Sequence, residues 1–429
     1  MINLRWIREQ PDEIKAAIRR KGADPSLVDA VLEADRRRRD TLQRVESLRA
    51  EQNRASQEIP RLTGPVREAR IAEMKRIATE LRATEPDLAA ADAALEAAAR
   101  RIPNPPHPEV PDGGPEASVT LRTFGEPPSP PFEMRDHVDL GTRLDMLDIE
   151  RAAKISGTRF VLLRRDGALL EMALFRYAID RLAGEGFVPV IPPVLVKRDA
   201  VLGTMGGGGL DEQMVYRIEG DDLALAGTSE VALGSMMGGE VLDEDALPMR
   251  LVGISSCFRR EAGAHGRDTR GMFRLHQFDK VEMFSFCHPD KSWDEHAYLL
   301  SQQEALWQAL GLPYRVVDIA AGDLGDPAAR KYDIETWMPG RGGYAETQSC
   351  SNCTDFQARR LNVRMRSRGQ RGLEYVHTLN GTAVAATRAI IAVMENFQQA
   401  DGSIRIPPVL RGYMGGRTEI TPPQAPVQR

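Results

Sequence analysis

Cysteine is scarce in this chain: four in 429 residues, at Cys257, Cys287, Cys350 and Cys353. Four scattered thiols do not make the disulfide framework of a small secreted domain, and they fit a reducing cytosol. No apolar run approaches the ~18 residues of a membrane span. The N-terminal run MINLRWIREQPDEI lacks an apolar h-region and carries acids early, so neither a signal peptide nor a transit peptide is expected. A cytoplasmic chain without a membrane partner is the resulting expectation. Two common nucleotide-binding turns are missing too. Gly206 to Gly209 lacks the Lys-Ser/Thr of a P-loop and reads as a plain connector, and there is no G-x-G-x-x-G turn. Any use of ATP must rest on another fold. The net charge of −5 is mild and does not advertise nucleic acid. Its distribution is uneven: residues 1–103 hold 21 Lys+Arg against 18 Asp+Glu, a net of +3, which leaves −8 for the rest. The basic part could meet a polyanion.

The length allows two or three domains. Pro11-Asp12-Glu13 reads as a helix start, and Ser26 as the cap of a longer helix beginning near Leu27. That helix carries Arg36-Arg37-Arg38-Arg39 and then the seam Val45, Leu48, Gln52, Ala55, Ile59, a heptad. Pro60 and Thr63-Gly64-Pro65 break the chain. A second seam follows, Met74, Ile77, Leu81, Thr84, Leu88, Ala91, Leu95, Ala98, Ile102, with Pro86 expected to kink or split its helix. Two such helices predict an antiparallel coiled-coil hairpin projecting roughly 45 Å at about 1.5 Å per residue. The pattern alone fits an oligomerisation coiled coil or bundle packing equally well. The arginine run is ordinarily a solvated face, and on a protruding arm it could meet phosphates. Ile102 to Pro131 is proline-rich and reads as an extended linker, with the next domain starting near Phe132. Arg151 to Ala183 reads as strand then helix, and GFVPVIPPVLV as an edge or interface strand interrupted by proline.

The rest of the chain is organised around Ile254 to Phe286, read as a β-hairpin with strands Ser255–Glu261 and Met272–Phe286 and a charged, Gly-containing loop, Ala262 to Gly271. On the return strand Arg274, His276, Phe278, Lys280 and Glu282 share one face, and Arg259 and Glu261 share a face on the first. Buried unpaired charges are costly, so this face must meet water or a polar ligand. The ordinary reading is a solvated outer face. The specific one is a nucleotide with an amino acid: Arg binds phosphate, Phe stacks on a base, and Glu accepts from amino groups. Three further stretches are polar: Gly227-Thr228-Ser229-Glu230; Tyr344 to Ser351, read as the end of a strand from Tyr332; and His377 to Thr382, leading into a helix Ala383–Gln399 with Arg388 and Glu395. Singly each is weak, since a Thr-Ser-Glu triplet is more often a helix cap.

Together and in this order, these stretches resemble the seryl-tRNA synthetases, a family of class II aminoacyl-tRNA synthetases of bacterial type. The resemblance covers nearly the whole chain: the coiled-coil arm, IPNPPHP, FRREAGAHGRDTRGMFRLHQFDKVEMF, ETQSCSNCTDFQARR, HTLNGTAVAATR and ENFQQADGSIRIPPVLRGYMGG. It implies an α+β fold: the class II synthetase antiparallel sheet, six- to seven-stranded and flanked by helices, with the N-terminal antiparallel coiled-coil arm. It implies a tRNA-binding domain at 1–103, a Pro-rich linker at 104–131 and a catalytic domain at 132–429, with dimerisation through a proline-containing strand matched by Pro193.

The implied activity is ligation of L-serine to tRNA(Ser), and to tRNA(Sec), through a seryl-adenylate, with ATP and Mg²⁺. By position, Arg259 resembles the arginine on the α-phosphate and the serine carboxylate, and Glu261 the acceptor for the adenine amino group. Phe278 resembles the stacking aromatic, and Arg388 the arginine on the γ-phosphate and the other adenine face. Glu346 and Ser349 resemble the Mg²⁺ and phosphate ligands, while Arg260, Arg274, Leu275, Thr347 and Gln348 complete the ATP site. Thr228, Ser229, Glu230, Glu282, Asn380 and Thr382 match the serine pocket, and Ala262 to Gly271 the loop between ATP and the tRNA acceptor end. Arg259, Glu346 and Arg388 carry the catalysis. An attacking carboxylate is already ionised at pH 7 and needs no general base, so His265 and His276 are read as loop and structural residues. The arm is implied to meet the long variable arm of the tRNA and to read RNA shape.

This sequence departs from the family pattern at two places. Ala345 stands where many members carry Arg, and TAVAATR replaces a commoner Ser-Gly-Leu-Ala-Val-Gly-Arg run. Cys350 and Cys353 form a C-x-x-C pair without the further ligands of a zinc site, and read as buried thiols. The main rival is a serine-activating paralogue that hands serine to a carrier or biosynthetic acceptor. Such a protein has no need of the RNA-reading arm. A non-catalytic regulator would not need Arg259, Glu346 and Arg388, nor a structural coiled-coil protein the polar hairpin face.

Overall fold

The computed structural model describes residues 1–206, 214–261, 270–369 and 372–423. It divides into two compact units, Met1–Pro105 and Pro106–Arg429.

The first unit is helical. α1 (Leu4–Glu9) is capped by Asn3, whose side chain accepts from Arg5 N at 2.9 Å. α2 (Pro11–Arg20) starts on proline with Asp12 and Glu13 in its first turn, where an N–H is dispensable and the helix dipole favours acids. α3 (Ser26–Glu58) and α4 (Gly64–Arg100) form the arm. Ser26 is not the expected cap. It is the first helical residue, and Asp24 accepts from its N–H at 2.9 Å and its hydroxyl at 2.6 Å. Ile7, Ile14, Ile18, Val28, Val31, Leu95, Ala99 and Ile102 pack the foot of the arm. Val45 and Ala55 of α3 and Ile77, Leu81 and Thr84 of α4 are buried along its length, in the expected heptad phase. α4 runs through Pro86 without a break. Proline removes only the bond to the Arg82 carbonyl, and both residues lie on the exposed side, where water can meet that carbonyl. The arginine run is committed to acids within the unit: Arg36 and Arg37 to Glu33, Arg38 to Asp92, Arg39 to Asp35. Asp35 is buried and also takes Arg8 at 2.6 Å.

The second unit is built on one eight-stranded sheet. Its strands are β1 (Val119–Phe124), β2 (Val188–Val190), β3 (Met249–Phe258), β4 (Gln277–Cys287), β5 (Tyr314–Asp318), β6 (Arg330–Met338), β7 (Gly343–Asn352) and β8 (His377–Ala385). The order is β1-β5-β6-β7-β8-β4-β3-β2, antiparallel throughout except for the β2–β3 pair. The resemblance implied six or seven antiparallel strands. The excess comes from the parallel edge strand β2 and from β1, which lies inside the segment expected to be linker. VTLRTF is exposed along its whole length, so an edge position satisfies it without a hydrophobic run. The sheet is flanked by α5 (Asp166–Gly184), α6 (Ser292–Leu310) and α7 (Ala386–Asn396), around a core that includes Leu174, Val281, Met283, Trp307, Ile334, Val384 and Ile390. α5 stops where Gly186 turns to φ +87° and Phe187 N–H returns to the Leu182 carbonyl.

Several boundaries differ from the sequence reading. Residues 149–156 are helical, not strand. The Pro-rich run splits into β2 and a second short strand, Leu195–Lys197, which pairs with Leu223–Leu225, and Pro193 lies exposed between them. Tyr332 to Ser351 is a hairpin, β6–β7, turned at Pro339–Arg341. His377 to Ala385 is strand, and the helix begins at Ala386. The central hairpin is β3–β4, paired from Met249↔Phe286 to Phe258↔Gln277. Beyond it Arg259 N bonds His276 O at 2.9 Å, and then the two sides part, with Glu261 at φ +51°. The expected loops at 206–209 and 262–271 lie mostly outside the described residues, as does His265. No described helix is long and apolar enough to cross a membrane.

Candidate active site

A cleft of about 590 Å³ opens over β4, β7 and β8 beside α7. Its walls include Arg259, Glu261, Arg274, Leu275, Phe278, Glu346, Thr347, Ser349, Thr382 and Arg388 from the expected set, with Phe273, Lys280, Ala385 and Thr387 in addition. The alternation of β4 is what brings Phe278, Lys280 and Glu282 to the same side.

Glu346 and Ser349 are three residues apart, which in a regular strand puts side chains on opposite faces. Here a β-bulge intervenes: Glu346 pairs with Glu335 and Gln348 with Ile334, leaving Thr347 as the extra residue. Glu346 and Ser349 therefore both line the cleft. Thr347 turns its hydroxyl away, to Thr336 Oγ1 at 2.7 Å and the Ile334 carbonyl at 3.1 Å. Gln348 is buried, donating to the Ala383 carbonyl at 2.7 Å, and its side chain does not line the cleft.

Three guanidiniums dominate the electrostatics. Arg259 Nε donates to the Gly227 carbonyl at 3.1 Å, and its Cζ stands 5.3 Å from the centre of the Phe278 ring. Arg274 meets Glu261 at 3.4 Å. Arg388 Nη1 reaches the Glu346 carbonyl at 2.9 Å and its carboxylate at 3.2 Å, with Cζ 4.6 Å from the centre of the Phe273 ring. Enclosure by protein pushes the Glu346 carboxyl up, but Arg388, Lys331, Arg259 and Arg274 outweigh it and hold it below the usual glutamate range. The side chain is nonetheless 44 % exposed, toward the cleft. A carboxylate and a hydroxyl on one face are hard oxygen donors, and they suit Mg²⁺ better than a thiophilic metal.

Behind Lys280 and Thr382, which line the cleft, lies a buried polar network. Lys280 Nζ contacts Glu282 at 2.5 Å and donates to Thr228 Oγ1 at 2.9 Å. Thr382 Oγ1 donates to Glu282 at 3.2 Å. Glu230 Oε1 accepts from Gln357 at 2.6 Å and Asn380 at 2.9 Å. Burial, reinforced by the charge of Glu282, pushes Glu230 up to about 7. Ser229 is buried beside them and its hydroxyl has no partner within the protein. The expected serine-pocket residues Thr228, Ser229, Glu230, Glu282 and Asn380 thus lie behind the cleft wall, most of them joined to it by hydrogen bonds.

Arg260 is not in the cleft wall: its Cζ lies 5.6 Å from the centre of the Tyr216 ring and its N–H bonds the Met214 carbonyl. His276 bonds the Arg259 carbonyl through Nδ1 at 2.9 Å and packs near Phe160 and Tyr216, a structural position. Cys350 and Cys353 are buried free thiols, and burial pushes Cys350 up. Glu395 pins the β6–β7 turn through Gly340 N at 2.8 Å. Lys280 was visible in the sequence as a member of the polar face, yet it had no assigned role. Gln357 gave no local signal. Phe273 lies before the first residue of β4, Gln277, so strand alternation carries no information about where its ring points.

Comparison with known proteins bears on the same regions. Residues 1–106 match the seryl-tRNA synthetase N-terminal domain family, and residues 214–397 the tRNA synthetase class II core domain family (G, H, P, S and T). The chain is 49% identical over 424 residues to a serine–tRNA ligase of Acidothermus cellulolyticus, covering 99% of this chain and 100% of the relative. It is 47% identical over 425 residues to one of Streptomyces coelicolor, covering 98% and 99%. The crystal structure of seryl-tRNA synthetase from Pyrococcus horikoshii complexed with ATP superposes with a TM-score of 0.92 at 40% identity, covering 99% of this chain and 100% of that one. An acid-and-arginine cleft on an antiparallel sheet, a helical N-terminal arm and this likeness along both units agree: the chain belongs to the seryl-tRNA synthetase family of class II aminoacyl-tRNA synthetases.

Proposed function

We infer that the chain joins L-serine to tRNA in two steps, activating serine with ATP in this cleft and then passing it to the tRNA 3′ end. The observation that carries the reading is the continuity of two environments: a cleft with three guanidiniums, which suits a triphosphate, is joined through Lys280 and Thr382 to a buried polar network of Thr228, Glu230, Glu282 and Asn380, which suits the ammonium and hydroxyl of a small amino acid.

In the first step a serine carboxylate oxygen bonds to the α-phosphorus, the bond from that phosphorus to the bridging oxygen breaks, and pyrophosphate leaves. The nucleophile is already ionised, so catalysis is positioning and charge neutralisation. In this reading Arg259 bridges the serine carboxylate and the α-phosphate, and Arg388 takes the γ-phosphate. Phe278 and Glu261 hold the adenine. Glu346 and Ser349 would hold Mg²⁺, which would supply neutralisation of the phosphate charge. Glu230 takes the serine ammonium, and Glu282 with Thr382 pairs the serine hydroxyl. Alanine offers that pair no hydroxyl, and a site built to hydrogen-bond a substrate hydroxyl can discriminate by roughly 10⁴. In the second step a ribose hydroxyl of the tRNA attacks the seryl carbonyl carbon and AMP departs.

The first unit is assigned to the tRNA, with contacts mainly to phosphate and sugar along the arm, and residues 132–429 to catalysis. tRNA(Ser) is the substrate, with tRNA(Sec) as a second acceptor, and the reaction is cytoplasmic. A homodimer fits the apolar surface at and around β2, where Ile191 is 83 % exposed and Val188, Leu195, Leu169 and Met172 are also exposed. The test is serine-dependent ATP–pyrophosphate exchange followed by serine transfer to total tRNA. Both activities are expected. Exchange without transfer would remove the tRNA step and leave a serine-activating enzyme with another acceptor.

A further inference from the structure

Beside the Glu346–Ser349 face lies a carboxylate to which the reaction as described gives no task. Asp333, on β6, is only 5 % exposed, and its Oδ1 has no hydrogen-bond partner within the protein. Its Oδ2 has Lys331 Nζ at 3.4 Å, a loose contact for a buried ion pair. Register fixes where the side chain points. Asp333 pairs directly with Ser349, and two residues on, Glu335 pairs with Glu346. Cross-strand partners share a face, so Asp333 stands on the cleft side of the sheet, one strand behind Ser349. Glu335, the next residue on that face, is spoken for by Arg315 at 2.6 Å. A buried carboxylate oxygen left unbonded is unfavourable unless something outside the chain supplies a donor. Mg²⁺ characteristically keeps several of its waters and binds only one or two carboxylates directly. Those waters are strong donors.

We propose that Asp333 is an outer carboxylate of the metal site: its Oδ1 accepts a hydrogen bond from metal-bound water while Glu346 and Ser349 bind the ion itself. The inference rests on the ATP–Mg²⁺ reading of the cleft and adds a positioning residue to it. Lys331 then has a definite role as well, as the cation that balances Asp333 when no metal is bound. It competes with the metal for the same negative charge. Two substitutions should therefore move metal affinity in opposite directions, which a purely structural Lys331–Asp333 pair does not predict.

The experiment uses the full-length protein, Mn²⁺ as the probe and a non-hydrolysable ATP analogue. Bound Mn²⁺ is counted by electron paramagnetic resonance, independently of turnover. Asp333→Asn is expected to weaken Mn²⁺ binding by about 10- to 100-fold, with the analogue's metal-free affinity unchanged and exchange restored by raised Mg²⁺. Lys331→Gln is expected to tighten Mn²⁺ binding. An Asp333→Asn protein that binds Mn²⁺ within twofold of the parent overturns the proposal and leaves the cleft assignment standing. Should that variant fail to fold, Lys331→Gln decides alone, and unchanged or weaker binding overturns it. If the parent protein with the analogue binds no Mn²⁺, the metal reading of the cleft falls, and the proposal with it.

Discussion

Glu230 is the buried acid whose titration can be isolated most cleanly. Its carboxyl is raised from 4.5 to about 7, by burial first and by Glu282 second. The unfolded chain ionises at the ordinary value while the native protein holds the proton until near neutrality. Native stability from this group is therefore fully present below about pH 4.5 and is lost as pH rises through 7. About 2.5 pH units at 1.36 kcal/mol each give a penalty of about 3 kcal/mol above neutrality. Glu230→Gln removes the titration. It also preserves the acceptor, because an amide oxygen can still take the Gln357 and Asn380 donors now on Oε1. The stability of the variant relative to the parent should thus grow by about 3 kcal/mol between pH 4.5 and 8. For a unit of roughly 320 residues, with an unfolding entropy of about 2 cal/mol/K per residue, that is about 5 °C in Tm. Glu171, raised to about 8 by burial, titrates in parent and variant alike and cancels in the difference, as does the Lys331–Asp333 pair. The same variant should raise the serine KM roughly 10- to 100-fold, the worth of a charged hydrogen bond. Paired melting curves at pH 5 and pH 8 provide the assay. A Tm difference that does not change between them refutes the burial argument, whatever happens to KM.

Three further outcomes are expected. Arg259→Ala should cut serine-dependent pyrophosphate exchange by about 10²- to 10³-fold with Tm near that of the parent, and near-normal exchange would sink its assignment to the α-phosphate. Excising Val45–Thr84 and joining Arg44 to Glu85 through three glycines keeps the foot residues Val31, Leu95 and Ile102; exchange should persist while tRNA charging collapses, and equal loss of both would count against an RNA-binding arm. Arg67, Lys75 and Arg82 are exposed on α4, within ~80° of one another around the helix, and have no ion-pair partner among the described residues. Changing all three to Ala should lower the slope of log KM for tRNA against log salt by about 2 to 3, whereas Arg36→Ala with Arg37→Ala, already spent on Glu33, should leave it unchanged. A slope that responds to the second pair and not to the triple variant would reverse this assignment.

What could be read from the sequence was what depends on local period. The heptad seam of the arm and the polar face of β4 are both statements about spacing, and both survive because regular helix and strand carry the phase forward. Regularity failed first at punctuation. Pro339-Gly340-Arg341-Gly342 is an ordinary turn signal, and passing over it merged β6 and β7 into one strand. β1 was invisible for another reason: an edge strand with every side chain exposed needs no apolar stripe, and prolines on either side mark it as linker.

The active site lies deeper than either kind of reading can reach. Glu230 is held by Gln357 and Asn380, 127 and 150 residues away, and no local pattern encodes such a network. The pairing of Glu346 with Ser349 is the sharper case. Their spacing of three forbids a common face in a regular strand, so pattern reasoning alone would separate the two residues expected to hold the metal. Only the extra residue at Thr347, anchored by Thr336 and the Ile334 carbonyl, returns them to one side. The same slip sets Ser349, and not Gln348, opposite Asp333. One bulge thus decides that a hydroxyl joins the carboxylates on the cleft face. A substitution that loosens its anchor, such as Thr336→Val, should therefore weaken metal binding although residue 336 touches neither nucleotide nor ion. Undiminished Mn²⁺ affinity in that variant would show that the bulge is held by the strands alone.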